Sequence, residues 1–144
     1  GYWVPRLELA VVGPYKTQGG GCDQVGSAEE VCRRTRLFAQ EYPNVVLEGI
    51  LVAHTFSRYS NLAQELAHKN YRFCFLNTPL QNCIGRVRAR RRQNNNNKPF
   101  DPKNVIKDWH NIWSRVRLKC LYAGHSTIVL NYLSPLPGLL QLLE

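Results

Sequence analysis

Methionine is absent from all 144 residues, position 1 included. The chain opens directly on strand-like Gly1-Tyr2-Trp3-Val4, so a segment ahead of residue 1 is expected. Acidic residues are scarce, 10 against 19 Lys and Arg, which leaves a net charge of +9. That balance favours an anionic partner: a nucleotide, a nucleic acid or an acidic surface. The five cysteines form no CxxC and have no zinc-like His spacing, which argues against a structural zinc site and a disulfide framework. An odd, unpaired set points to a reducing compartment, and Cys74 and Cys83 fall at expected core positions as inert thiols. No apolar run reaches membrane length and no signal peptide opens the sequence, so a soluble cytoplasmic protein is expected. His54, His68, His110 and His125 show neither a triad nor a metal spacing, so Cys–His nucleophilic catalysis has no support.

What is present reads as one α/β domain over residues 1–144, large enough for a core without staples. Two short extended runs fill residues 1–12, with Pro5-Arg6 between them, and 13–26 is a glycine-rich loop. Ser27-Ala28-Glu29-Glu30 is a capping box opening a helix to about Tyr42. Val45-Val46-Leu47-Glu48-Gly49 is a buried strand, with Ile50-Leu51-Val52 as an extension of it. A helix holding Leu62, Ala63, Leu66 and Ala67 follows. Asp101-Pro102 caps a long helix to about Leu121, with Trp109 and Trp113 one turn apart on its apolar face. A strand at 127–132 and a short terminal helix complete the chain. Strands alternating with long helices signal βαβ units with a parallel sheet and helices on both faces.

The most informative stretch is 71–92. Tyr71 to Asn77 is too apolar for a strand with one face in water and reads as covered on both sides. Thr78-Pro79-Leu80-Gln81 then gives an N-cap, a first-turn proline and a capping-box glutamine. The helix ends in Arg86, Arg88, Arg90, Arg91 and Arg92. A basic helix end is favoured by the helix dipole, which two arginines would satisfy. Five go further, and guanidinium forks pair bidentately with phosphate. Arg86 with Arg90, or Arg88 with Arg92, are i, i+4 pairs able to grip one phosphate chain. The polar tip Asn94-Asn95-Asn96-Asn97-Lys98-Pro99 gives the region about 88–101 the character of a mobile lid.

Ligands of open α/β sheets sit where strands end and helices begin. Glu48-Gly49 stands at such an end, where an acid can orient a magnesium-bound water or a hydroxyl. A solvated glutamate at a strand end is the plain alternative, and the following glycine tilts the balance toward a ligand. Gly13-Pro14-Tyr15-Lys16-Thr17 ends like a P-loop but lacks the glycine before lysine and the helix after it. It is taken as a substrate-side loop, with Asp23 and Tyr15 reaching a polar ligand, against an ordinary surface loop. Arg58-Tyr59 offers a cation beside an aromatic to stack on a base.

On these residues the chain resembles small P-loop kinases of the thymidylate-kinase-like and nucleotide-kinase-like type, in particular those of bacteriophages. The likeness runs through Val11-Val12-Gly13-Pro14-Tyr15, Gly20-Gly21-Cys22-Asp23, Val46-Leu47-Glu48-Gly49 and Ser57-Arg58-Tyr59. It continues through Phe75-Leu76-Asn77-Thr78-Pro79-Leu80, the 86–91 arginines and Pro135-Leu136-Pro137-Gly138. It implies a three-layer P-loop NTPase sheet and ATP-dependent, Mg2+-assisted phosphoryl transfer to a nucleotide, nucleoside or similar acceptor. Glu48, Arg86 and Arg90 would be catalytic, and Arg88, Arg91, Arg92 and Thr78 would contact ATP. Tyr15, Asp23, Arg58 and Tyr59 would face the acceptor. The family's first strand and its G-x-x-x-x-G-K-[ST] loop are absent from these residues, so catalysis by this stretch alone is expected to be impaired. The missing strand belongs between the Glu48 strand and the 71–77 strand, whose facing edges are expected to lack a shared neighbour. The rival reading is a nucleic-acid-binding or catalytically inactive kinase-like domain that uses the arginine helix.

Overall fold

Residues 1–16 and 20–143 are described by a computed structural model; Thr17, Gln18 and Gly19 of the expected substrate-side loop lie outside them. Five strands form two sheets rather than one. In the first, β1 (Tyr2–Val4) runs antiparallel to β2 (Leu9–Val12), and β2 runs parallel to β3 (Asn44–Leu47). In the second, β4 (Arg72–Leu76) pairs in parallel with β5 (Ser126–Leu130). No ladder among the described residues joins β3 to β4, the two edges expected to lack a common partner.

The helices explain how two sheets share one core. Ser27 caps α1 (Ala28–Glu41) by accepting the Glu30 N–H at 3.1 Å. Glu30 does not reach back to complete the box, because Arg33 and Arg34 both hold its carboxylate at 2.7 Å. Those two guanidinium groups keep the Glu30 carboxyl down at about 2, below the usual carboxylate range. α1 and α3 (Phe56–Glu65) pack together, burying Val31, Cys32, Tyr59 and Leu62 with Val12 from the first sheet and Phe73 and Phe75 from the second. Burying a large apolar side chain contributes about 1.5–3 kcal/mol, so this shared cluster is what joins the halves.

Several local expectations need correction. β3 ends at Leu47, and Leu51–His54 form a short helix, α2, instead of extending the strand. The β4 strand is not covered on both sides: Phe73 and Phe75 are buried, while Cys74 and Leu76 point to solvent. Strand alternation turns Cys74 and Leu76 to the face opposite the two phenylalanines, where α7 covers Leu130 of the neighbouring strand and leaves these two open. Cys74 is therefore exposed and Cys83 half-buried, while Cys22, Cys32 and Cys120 are the buried thiols. Thr78 does not cap α4 (Leu80–Gln93): Pro79 is the capping residue, extended at ψ 144°, and its carbonyl accepts from Asn82 and Cys83.

After α4, the chain returns through α5 (Lys103–Asn111), whose start is fixed by Asp101 accepting the Lys103 N–H at 2.9 Å. The expected single long helix is interrupted: Ile112–Val116 widen into a π-helical segment before α6 (Arg117–Tyr122). A short α7 (Pro135–Leu140) follows β5. Among the described residues, no helix is long and apolar enough to cross a membrane.

Candidate active site

The carboxyl ends of β3 and β4 gather most of the chemistry. Glu48, exposed, follows β3 directly. Its backbone carbonyl accepts the Cys22 N–H at 2.7 Å, tying the 20–24 segment to the strand end. Gly21 makes this approach possible: its φ is +83°, and a Cβ there would lie 2.7 Å from a Glu48 carboxylate oxygen. The Tyr15 hydroxyl donates to Glu48 Oε2 at 3.3 Å. Burial, and then the charge of Glu48, push the Tyr15 phenol up to about 12. Tyr15 is thus a neutral donor at working pH, steadying one oxygen of Glu48.

Asp23 occupies a different position from the substrate-facing one expected. Its two oxygens accept the backbone N–H groups of Ile50 and Leu51, each at 3.0 Å, at the mouth of α2. A carboxylate on these otherwise unpaired donors is a helix cap strengthened by charge. Gly49 is squeezed beneath it, since a Cβ at that residue would stand 2.5 Å from Asp23 Oδ1. Asp23 therefore shapes the Glu48-Gly49 turn.

Tyr59 must be withdrawn as a base-stacking residue. It is 1% exposed, one of the largest fully buried side chains, and burial raises its phenol above the usual range. Its i, i+3, i+4 relation to Leu62 and Ala63 put it on the core face of α3, a periodicity present in the sequence. Arg58 is on the solvent side of the same helix.

The arginine cluster divides. Arg88 and Arg91 stack on the Phe100 ring at 5.4 and 5.6 Å, and Arg91 donates to the Lys98 carbonyl at 2.8 Å. These two order the turn after α4, which accounts for them without a phosphate. Arg86 lies 5.8 Å over Tyr132. Arg90 and Arg92 are exposed at the helix end. No hydrogen bond or ion pair among the described residues connects any of the five with Glu48 or Thr78. Thr78 is buried at the end of β4, and its carbonyl accepts the Trp109 indole N–H at 2.9 Å, docking α5 on that strand end.

That docking creates a feature sequence reasoning missed. A cleft of about 570 Å³ lies between α2 and α5, with His54 on one wall. Lys107, Asp108, His110, Asn111, Ser114 and Arg115 form the other. His54 Nε2 meets Asp108 Oδ1 at 3.0 Å across it. The two residues are 54 apart in sequence. Only the stripe at 107, 110, 111, 114, opposite the two tryptophans, was open to detection in the sequence.

No family model matches the chain, and no solved structure matches it. Among curated proteins it is similar to the 5-hmdU DNA kinase of Pseudomonas phage PaMx11, at 33% identity over 100 residues. The match takes in 69% of this chain and 52% of the relative, so the chain corresponds to about half of that protein. The similarity supports a kinase-like relationship at a distance.

Proposed function

We propose that the natural protein carrying this chain moves the terminal phosphate of a nucleoside triphosphate onto a hydroxyl of a nucleotide or of DNA. The carrying observation is the 33% match to a protein named as a DNA kinase. The strand-end acid Glu48, with Tyr15 on one oxygen, supports it. So does the charge of +9, which suits a polyanionic substrate.

Magnesium and a triphosphate fit this site in part. Among the described residues no group of three His, Cys, Asp or Glu side chains gathers to hold a metal. Magnesium is commonly held by one or two carboxylates plus substrate phosphates, and Glu48 is the carboxylate that the end of β3 offers. When bound, the triphosphate supplies the transferred phosphoryl group and the cation offsets its charge. Arg86 and Arg90 are the arginines of this chain assigned to phosphate oxygens. Arg88 and Arg91, spent on Phe100, serve the turn instead. The 144 residues contain no G-x-x-x-x-G-K-[ST] loop, so the P-loop type of this kinase rests on the family resemblance. Within this chain, Glu48 orients the acceptor hydroxyl or a bound water, Tyr15 fixes its rotamer, and Asp23 holds the turn that carries it.

The test uses the natural protein, γ-labelled ATP and DNA containing 5-hydroxymethyluracil. Label should pass to the DNA and fall by about a hundredfold or more in Glu48→Gln, the usual scale of a lost acid–base or electrostatic contribution. No transfer from the natural protein to this DNA, to nucleotides or to nucleosides would refute the reading. DNA binding with no transfer would leave the rival, an inactive kinase-like domain that binds nucleic acid.

A further inference from the structure

The α2–α5 cleft is not used in the phosphate-donor chemistry proposed above, and two of its lining residues, Lys107 and Arg115, are cations. Lys107, His110, Ser114 and Arg115 all project into it from one face of α5 and the π-helical segment. Their spacing of three, four and one is what a single helix face allows. The opposite face carries Trp109 and Trp113, which dock the helix through Thr78 and Phe75. The cationic stripe is therefore held rigidly and turned outward.

Two further observations bear on the ligand. The π-helical widening at Ile112–Val116 falls under Ser114 and Arg115, and such widenings recur at functional sites. The single carboxylate among the residues lining the cleft, Asp108, is engaged by the His54 ring nitrogen at 3.0 Å. The stripe from Lys107 to Arg115 extends about 12 Å at 1.5 Å per residue. A single phosphate needs only one end of it, whereas a strand of DNA presents a phosphate about every 3.4 Å along the duplex axis.

We propose that this cleft is the groove that holds the phosphate backbone of a DNA strand, with Lys107 and Arg115 as its phosphate contacts and Asn111 and Ser114 as neutral donors between them. This rests on the kinase reading only for the choice of DNA as the polyanion. It assigns the strand to the α2–α5 cleft and not to the arginines of α4.

The test is equilibrium binding of a fluorescein-labelled oligodeoxythymidylate, about a dozen nucleotides long, to the natural protein carrying this chain, over a salt series without ATP. The slope of log K against log salt should fall by about 0.7 for Lys107→Ala, by the same for Arg115→Ala, and by about twice that for the pair. Asp108→Asn should tighten binding, because it removes the only acid. Arg6→Ala with Lys69→Ala removes equal charge elsewhere and should leave the slope unchanged. Both cleft cations are exposed, and circular dichroism of each variant verifies the fold. Unchanged slopes in the cleft variants, or an equal loss in the Arg6 and Lys69 control, would overturn the proposal. So would displacement of the oligonucleotide by thymidine monophosphate at matched phosphate concentration, which would mark a single-phosphate pocket. Because no triphosphate is present, binding can succeed where the phosphoryl-transfer assay fails, and the reverse.

Discussion

Asp23→Ala separates two roles that look alike on a list of acidic residues. In the native protein, the carboxylate accepts two backbone N–H groups, those of Ile50 and Leu51, at 3.0 Å each. Losing a helix cap costs about 0.5–2 kcal/mol, and hydrogen bonds to a charged group contribute about 1.5–3 kcal/mol when partly sheltered. Water can reach the freed donors, so the expected loss is near the middle, about 2 kcal/mol. At a urea dependence of about 2 kcal/mol per molar, that moves the unfolding midpoint down by about 1 M. Asp23→Asn keeps one acceptor oxygen and should lose about half as much. The measurement is urea unfolding followed by tryptophan fluorescence and far-UV circular dichroism together. If Asp23 instead served a bound substrate, alanine would leave stability within the about 0.5 kcal/mol typical of surface changes while abolishing binding. A midpoint unmoved by Asp23→Ala would therefore refute the capping role and return Asp23 to the ligand.

Two further outcomes follow from the same geometry. Tyr15 has its phenol raised from 10.0 to about 12, so its contribution to stability is full below pH 10 and is lost as pH rises through about 12. Removing the Glu48 charge in Glu48→Gln should lower that midpoint without restoring the ordinary value, since burial is the larger cause; ultraviolet titration of tyrosinate, with Tyr15→Phe as the subtraction, reads it. Maleimide labelling of the native chain should modify Cys74 readily and reach Cys22, Cys32 and Cys120 only on unfolding; slow labelling of Cys74 would mean that the open face of β4 is covered.

Local signals were legible where a single periodicity governed them. The Ser27 cap, the two runs flanking Pro5-Arg6 and the tryptophan face of α5 could all be read from spacing, and all are present. The errors came where two rules competed. The 71–77 run is mostly apolar, but strand alternation puts Phe73 and Phe75 on the core face and Cys74 and Leu76 on the other, which the short α7 covers at Leu130 and not at these two residues. Tyr59 looked like a handle for a base because it stood beside Arg58, although its helical neighbours Leu62 and Ala63 assigned it to the core. Cys22, Asp23 and Glu48 could be placed near one another only by folding the 20–24 segment onto β3. Pairing His54 with Asp108 required the Trp109 dock. Neither contact leaves a trace in local sequence, and the same holds for the π-helical segment.

The divided sheet has a mechanical consequence for the cleft. Hydrogen-bonded ladders are stiff along their length, and elements hung from one ladder keep a fixed spacing. Here α2 is suspended from the β3 ladder and α5 from the β4 ladder. What lies between them is side-chain contact, through Tyr59 and Leu62 of α3, the phenylalanines of β4 and the His54–Asp108 pair. Such a seam yields by sliding, and it has no backbone register to restore it. The aperture between His54 and Arg115 is thus set by the bulk of residues buried well below it, and methylenes trimmed from the seam reset the jaw while every group lining it stays the same.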